Sequence, residues 1–126
     1  YPLDANDSMN MHMQLENGAV GVIHASRFAS GHLNDLSLRI YGAKGGLDVR
    51  FEGWESRLRA CTGDDLEATK WVDVPTPDVP TNYVRFIDAV RNAEQVFPDF
   101  RRGAALQAVL DLAVASDADG SCDKTV

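Results

Sequence analysis

The sequence predicts an α+β domain, an open and mostly antiparallel sheet of five or six strands with two helices packed on one face. Three observations support this. Apolar and polar residues alternate with period two in separate runs at 9 to 15, 35 to 41 and 47 to 52, the signature of half-buried strands. Turn residues such as Asn17-Gly18 and Gly42 to Gly46 punctuate those runs, as hairpins require. After Pro75, Pro77 and Pro80 the period lengthens to that of amphipathic helices. Strands followed by helices indicate a layered α+β unit rather than alternating βα repeats.

The first strand is expected over residues 9 to 15, with Met9, Met11, Met13 and Leu15 on one side and Asn10, His12 and Gln14 on the other. Asn17-Gly18 supplies two residues tolerant of positive φ, so a two-residue type I′ loop is expected to return the chain over Ala19 to Phe28. That loop sets Leu15 opposite Val20, Met13 beside Val22 and Met11 beside His24. His12 and His24 then fall on opposite faces. Ile23, Ala25 and Arg27 join the polar one.

Leu36, Leu38 and Ile40 alternate with Asp35, Ser37, Arg39 and Tyr41 in a third strand that ends at Gly42 to Gly46. Leu47, Val49 and Phe51 define a fourth. Ragged, charged runs near 55 to 61 and 69 to 74 suit edge strands. Tyr83, Phe86, Ile87 and Val90 mark the first helix, with Thr81 as its N-cap and Tyr83 expected in the core. The second starts near Asp99, is expected to bury Leu106, Val109, Leu110 and Ala113, and stops at Asp119-Gly120. The tail 121 to 126 is too short to be read alone and could add a strand.

A chain of 126 residues has the size of one domain and needs no staples to build a core. Its 44% hydrophobic and 25% charged residues are ordinary for a globular protein. Twelve Lys plus Arg against nineteen Asp plus Glu leave a net charge of −7, which disfavours nucleic acid and anionic membrane as partners. No apolar run reaches membrane-spanning length, and Tyr1-Pro2-Leu3-Asp4 lacks the features of a signal peptide. Cys61 and Cys122 are far apart without CxxC spacing, so both are expected as free thiols in the cytoplasm, a single long-range bridge being the alternative. Asp64-Asp65 and Asp117-Ala118-Asp119 lack calcium-loop spacing and read as solvated turns. With the histidines on separate faces and in a loop, no metal site is expected. Trp54, between Gly53 and Glu55, reads as an exposed turn residue.

The run Leu15 to Gly21 followed by Ala25-Ser26-Arg27 resembles the first hairpin of the substrate domain in oxidoreductases of the glucose-fructose oxidoreductase, inositol dehydrogenase and MocA type (Gfo/Idh/MocA). Gly31 to Asn34, Leu38 to Leu47, Trp71, Tyr83 to Val90, Pro98 to Phe100, Gly103 and Gln107 to Ser116 continue the match in order. The likeness therefore spans nearly the whole chain. Its pieces are structural: turn glycines, helix core, and Gly103 for close helix approach. A scaffold alone does not fix function.

The resemblance implies that residues 1 to 126 are a C-terminal domain for substrate contact and oligomerisation, without the N-terminal Rossmann domain. In that family the Rossmann domain holds NAD or NADP, and the catalytic lysine lies in its Glu-Lys-Pro motif. The chain has no Gly-x-Gly-x-x-Gly, so no cofactor-binding or catalytic residue is assigned, and the isolated chain is expected to be inactive. The resemblance points to a sugar, cyclitol or related polyol as substrate of the full-length parent. Arg27, His32 and Asn34 flank the connection after the second strand and are the candidate substrate contacts; the alternative is three solvated loop residues. Arg39, Arg50, Arg57 and Arg59 interleave with Asp35, Asp48, Glu52 and Glu55, a pattern suited to cross-strand ion pairs. In such relatives the open sheet face is a subunit interface, here expected to hold Ile23, Ala25, Arg39, Tyr41 and Arg50 and to form a dimer; the alternative is a merely solvated face. A stand-alone dimerisation or ligand-binding module without catalysis is the other reading.

Overall fold

The computed structural model describes residues 7–53 and 55–126; Trp54, expected in an exposed turn, lies outside the described residues. The chain divides into two compact units, Tyr1–Asp78 and Val79–Val126.

In the first unit, β1 (Ser8–Gln14) pairs antiparallel with β2 (Val20–Ser26) in a two-stranded sheet. A second sheet has the order β3-β4-β5-β6, from β3 (Leu36–Gly42), β4 (Gly45–Glu52), β5 (Glu55–Thr62) and β6 (Val72–Asp73). All of its pairings are antiparallel. The architecture is α+β with open sheets, but six strands in two sheets replace the single sheet expected. Between β2 and β3 the backbone uses its groups in local turns. The amide of Ser30 donates to Phe28 O (3.0 Å) and that of His32 to Ala29 O (3.1 Å), while Gly31 and Asn34 sit at positive φ, 86° and 50°. Such turns interrupt a ladder.

The register of β1 on β2 differs by one residue from the expected one: Met13 faces Gly21, Met11 faces Ile23 and Asn10 faces His24. The turn is the cause. Gly18 N–H donates to Leu15 O and Leu15 N–H to Ala19 O, both at 2.8 Å, with Gly18 at φ 84°. This is a three-residue loop with glycine in the left-handed position, not a two-residue one. Because strand side chains alternate, a one-residue slip exchanges the faces of a whole strand. Ile23 and Ala25 therefore join the half-buried methionines, while Val20, Val22, His12 and His24 share the other face. His24 does not face Met11; its Nδ1 lies 2.7 Å from Asn10 Oδ1 on the exposed surface.

In the second sheet Leu38 faces Val49 and Ile40 faces Leu47, so Leu36, Leu38, Ile40, Leu47 and Val49 share one face as their alternation predicts. They remain partly exposed, from Val49 at 36% to Leu36 at 66%. Ser37, Arg39, Tyr41, Asp48, Arg50, Arg57 and Arg59 share the other face. A short helix, α1 (Asp64–Glu67), follows β5 where a solvated turn was expected.

The second unit contains α2 (Asn82–Asn92) and α3 (Phe100–Ala118); the helices expected to back the sheet thus belong to a different unit from the strands. Thr81 Oγ1 accepts from Val84 N–H (3.4 Å) and Asp99 Oδ1 from Arg102 N–H (2.9 Å), confirming both N-caps. Ala93, left-handed at φ 53°, ends α2. Tyr83 is 83% exposed, which corrects its assignment to the core, and Ala89 is the buried residue of α2. On α3 the half-buried stripe is Ala108, Val109, Leu112, Ala113 and Ser116, with Leu106 and Leu110 exposed. Among the described residues no atom lies within 4 Å of where a Gly103 side chain would begin. Residues 121–126 form no strand.

Candidate functional site

Two features of the first unit carry its polar chemistry. The first is the open face of the four-stranded sheet. Antiparallel pairing sets Arg39 opposite Asp48 and Asp48 opposite Arg59, so one carboxylate on the central strand meets guanidiniums from both neighbours. Asp48 is 3% exposed. Its Oδ2 accepts a hydrogen bond from Arg59 Nη2, while Arg50 Nε and Arg39 Nε stand 3.6 and 3.9 Å from Oδ1. At those distances neither arginine makes a hydrogen bond, and Oδ1 is left without a partner.

The Arg59 hydrogen bond holds the Asp48 carboxyl below the usual carboxylate range; desolvation opposes it, and the charges of Arg59, Arg39 and Arg50 add to the lowering. Trp71 completes the group. Its ring lies 5.7 Å from the Arg59 guanidinium, in cation–π range, and so close to Gly46 that a side chain there would meet it. Farther out, Arg57 grips Asp73 through two hydrogen bonds of 2.6 and 3.0 Å. This bond lowers the carboxyl of Asp73 and raises the guanidinium of Arg57.

Arg39, Tyr41 and Arg50 thus lie on one face as expected, with Tyr41 70% exposed. Ile23 and Ala25 do not join them, because β2 belongs to the other sheet and the register turns both toward the methionines. Of the expected ion pairs, those of Arg39, Arg50 and Arg59 converge on Asp48 and Arg57 takes Asp73, while among the described residues Asp35, Glu52 and Glu55 pair with no arginine.

The second feature is the loop 27–35, which carries the three candidate substrate contacts. Arg27 stands where the hairpin ends, its amide donating to Asp7 O (2.9 Å). Among the described residues its side chain has no ion pair. Asn34 occupies the left-handed region at φ 50°, a conformation that asparagine tolerates. His32 is held more firmly, with Nδ1 2.8 Å from Asp35 Oδ2. Donor atoms of His32, Asp35 and Glu52 lie within 4.8 Å of one another. Sequence spacing gave no sign of this cluster, because Glu52 reaches it through strand pairing.

In the second unit an apolar hollow lined by Phe86, Ala89, Val90, Val96, Pro98 and Phe100 lies between α2 and the start of α3. Arg85 braces that connection through a hydrogen bond to Phe97 O (2.8 Å). The hollow is mainly apolar, with Glu94, Gln95 and Asp99 also in its lining. Cys61 and Cys122 are both free, and no helix among the described residues is long and apolar enough to cross a membrane.

A family described as "Oxidoreductase family, C-terminal alpha/beta domain" matches residues 2–125. No curated protein and no solved structure matches the chain.

Proposed function

Since the chain belongs to the C-terminal alpha/beta domain family of oxidoreductases, we propose that it supplies the substrate contacts and the subunit interface of an NAD(P)-dependent enzyme acting on a sugar, cyclitol or related polyol. The family match over residues 2–125 is the observation that carries this reading. Hydride transfer requires a bound nicotinamide and a proton acceptor beside the substrate hydroxyl. The chain holds no glycine fingerprint for the former. Its own part is to bind and orient. Arg27, His32 and Asn34 present donors and acceptors from the loop between β2 and β3, which suits a substrate dense in hydroxyl groups.

The open face of the four-stranded sheet is the proposed contact between subunits in a homo-oligomer. Arg39, Tyr41 and Arg50 place an aromatic ring and two guanidiniums on a flat surface, the residue types enriched at such contacts. Asp48 is already desolvated there. Packing a second copy over it would press Arg39 and Arg50 toward the unpartnered Oδ1.

Two measurements test the two halves of this reading. In calorimetric titrations the chain alone should bind neither NADH nor NADPH; micromolar affinity for either would place a cofactor site within these residues and overturn the division of labour. Sedimentation at tens of micromolar should show a dimer, weakened by Arg39→Glu without loss of the circular-dichroism spectrum. A monomer at that concentration would remove the interface from the proposal.

A further inference from the structure

We propose that His32, Asp35 and Glu52 form a binding site for a divalent transition-metal cation, zinc or manganese, at the end of the β3-β4-β5 sheet. The inference does not rest on the polyol reading and is tested without any substrate.

Strand register is the starting point. Leu36 pairs with Phe51, so the next position along sets Asp35 against Glu52, and Glu52 is itself paired with Glu55. Asp35, immediately before β3, thus stands at one level with Glu52 of β4 and Glu55 of β5. Like charges directly opposite each other destabilise a sheet. The nearest arginines on that face are engaged elsewhere: Arg50 approaches Asp48, and Arg57 is bound to Asp73. Among the described residues no lysine or arginine forms an ion pair with Asp35, Glu52 or Glu55. Among the described residues, only the His32 ring approaches this row, at Asp35, and the repulsion between Glu52 and Glu55 has no basic partner.

His32 makes the row more than a cluster of carboxylates. The loop folds its ring onto Asp35, Nδ1 to Oδ2 2.8 Å, and donor atoms of His32, Asp35 and Glu52 all lie within 4.8 Å of one another. Ligands on one zinc ion sit about 2.0–2.2 Å from it, so cis donors must approach to roughly 3 Å of each other. The donors here need to close by at most about 2 Å, within reach of side-chain rotation at exposed His32 and Glu52. Asp35, only 23% exposed, is the fixed point. One imidazole nitrogen with two carboxylates suits zinc or manganese, whereas calcium and magnesium favour all-oxygen shells and copper(I) favours sulfur. Three protein ligands leave open positions for water or for Glu55.

The test is calorimetric titration of the tag-free, chelator-stripped chain with zinc chloride and, separately, manganese chloride, with no nucleotide or sugar present. Zinc should bind at one equivalent, and His32→Ala and Glu52→Gln should each weaken it at least tenfold. His12→Ala, His24→Ala and Cys122→Ser should leave the affinity unchanged. Thermal melting supplies a second readout. Without metal, Glu52→Gln should melt higher than the wild type because it removes one of three facing carboxylates; with zinc the order should invert. Equal zinc affinity in wild type, His32→Ala and Glu52→Gln would overturn the proposal, as would the absence of one-equivalent binding at millimolar free zinc. Failure of the melting order to invert would overturn it as well.

Discussion

The two hairpins of the first unit are built from similar strands and held in very different ways. β1 and β2 meet through a loop of Glu16, Asn17 and Gly18, and neither strand contains a buried residue; Val20 is 83% and Val22 65% exposed. β3 and β4 close over Ala43 and Lys44, with Gly42 paired to Gly45. They are then fixed by β5 and by Asp48, which ties three strands through Arg39, Arg50 and Arg59. In the first hairpin the turn chiefly decides the register, while in the second the register is written into the ladder itself. A sheet with a buried ionic tie resists slippage, and a lone two-stranded ribbon is marginal.

The largest effect should come from the glycines that close the two hairpins. Gly45 has φ 137°, and an added Cβ would strike the backbone oxygen of Cys61 and the side chain of Thr62. Gly45→Ala therefore combines about 1–3 kcal/mol of backbone strain with a clash that only a shift of β5 relieves. At Gly18, φ is 84° but no described atom lies within 4 Å. Gly18→Ala should cost about 1 kcal/mol, the left-handed penalty alone. Urea unfolding of the pair compares them directly, and equal losses would mean that β4 and β5 are not closely coupled at this point.

A smaller effect is expected from the ionic tie, and it depends on pH. Asp48 titrates below its ordinary value of 3.8 because of Arg59. A depressed carboxyl stabilises the folded state above its unfolded value, and that contribution is lost as pH falls through the lower folded value. Asp48→Asn should therefore lower the melting temperature at pH 7 and flatten the loss of stability below pH 3.8. Arg57→Ala, which breaks a pair exposed on both sides at 59% and 66%, should leave the melting temperature nearly unchanged. Equal shifts for the two variants would deny Asp48 its special place.

The smallest change tests the loop alone. Deleting Glu16 leaves Asn17-Gly18 as a two-residue connection between Leu15 and Ala19, a sequence suited to a type I′ turn. Met13 should still face Gly21, at a cost below about 1 kcal/mol because either loop fits an antiparallel ribbon. Cross-strand nuclear Overhauser contacts between Met11 and Ile23 check it; their loss would show that the turn does not govern the register.

The same contrast explains what could be read in the sequence. Leu36, Leu38 and Ile40 and their partners Leu47, Val49 and Phe51 announce their common face by alternation alone, and Thr81 and Asp99 mark their helices as caps. Asn17-Gly18 is ambiguous because it serves a two-residue loop and the end of a three-residue loop equally well. The choice moved Ile23 and Ala25 away from the expected interface. α1 spans four residues, too few for a period to emerge. The division into two sheets depends on where β2 fails to find β3, which no local pattern records. Of the candidate site, the loop and the open face were legible; the approach of Glu52 to His32 was not, since it follows from pairing across two strands.

Cys61 gives the four-stranded sheet a clock of its own. Its thiol is buried at 8% exposure, donates to Asp65 O at 3.4 Å, and belongs to a residue paired with Gly46 across β4 and β5. A thiol reagent must wait for that part of the sheet to open, whereas Cys122, exposed with its thiol donating to Asp119 O (2.9 Å), needs no such opening. The two cysteines of one chain thus record two times, the arrival of the reagent and the breathing of the strands.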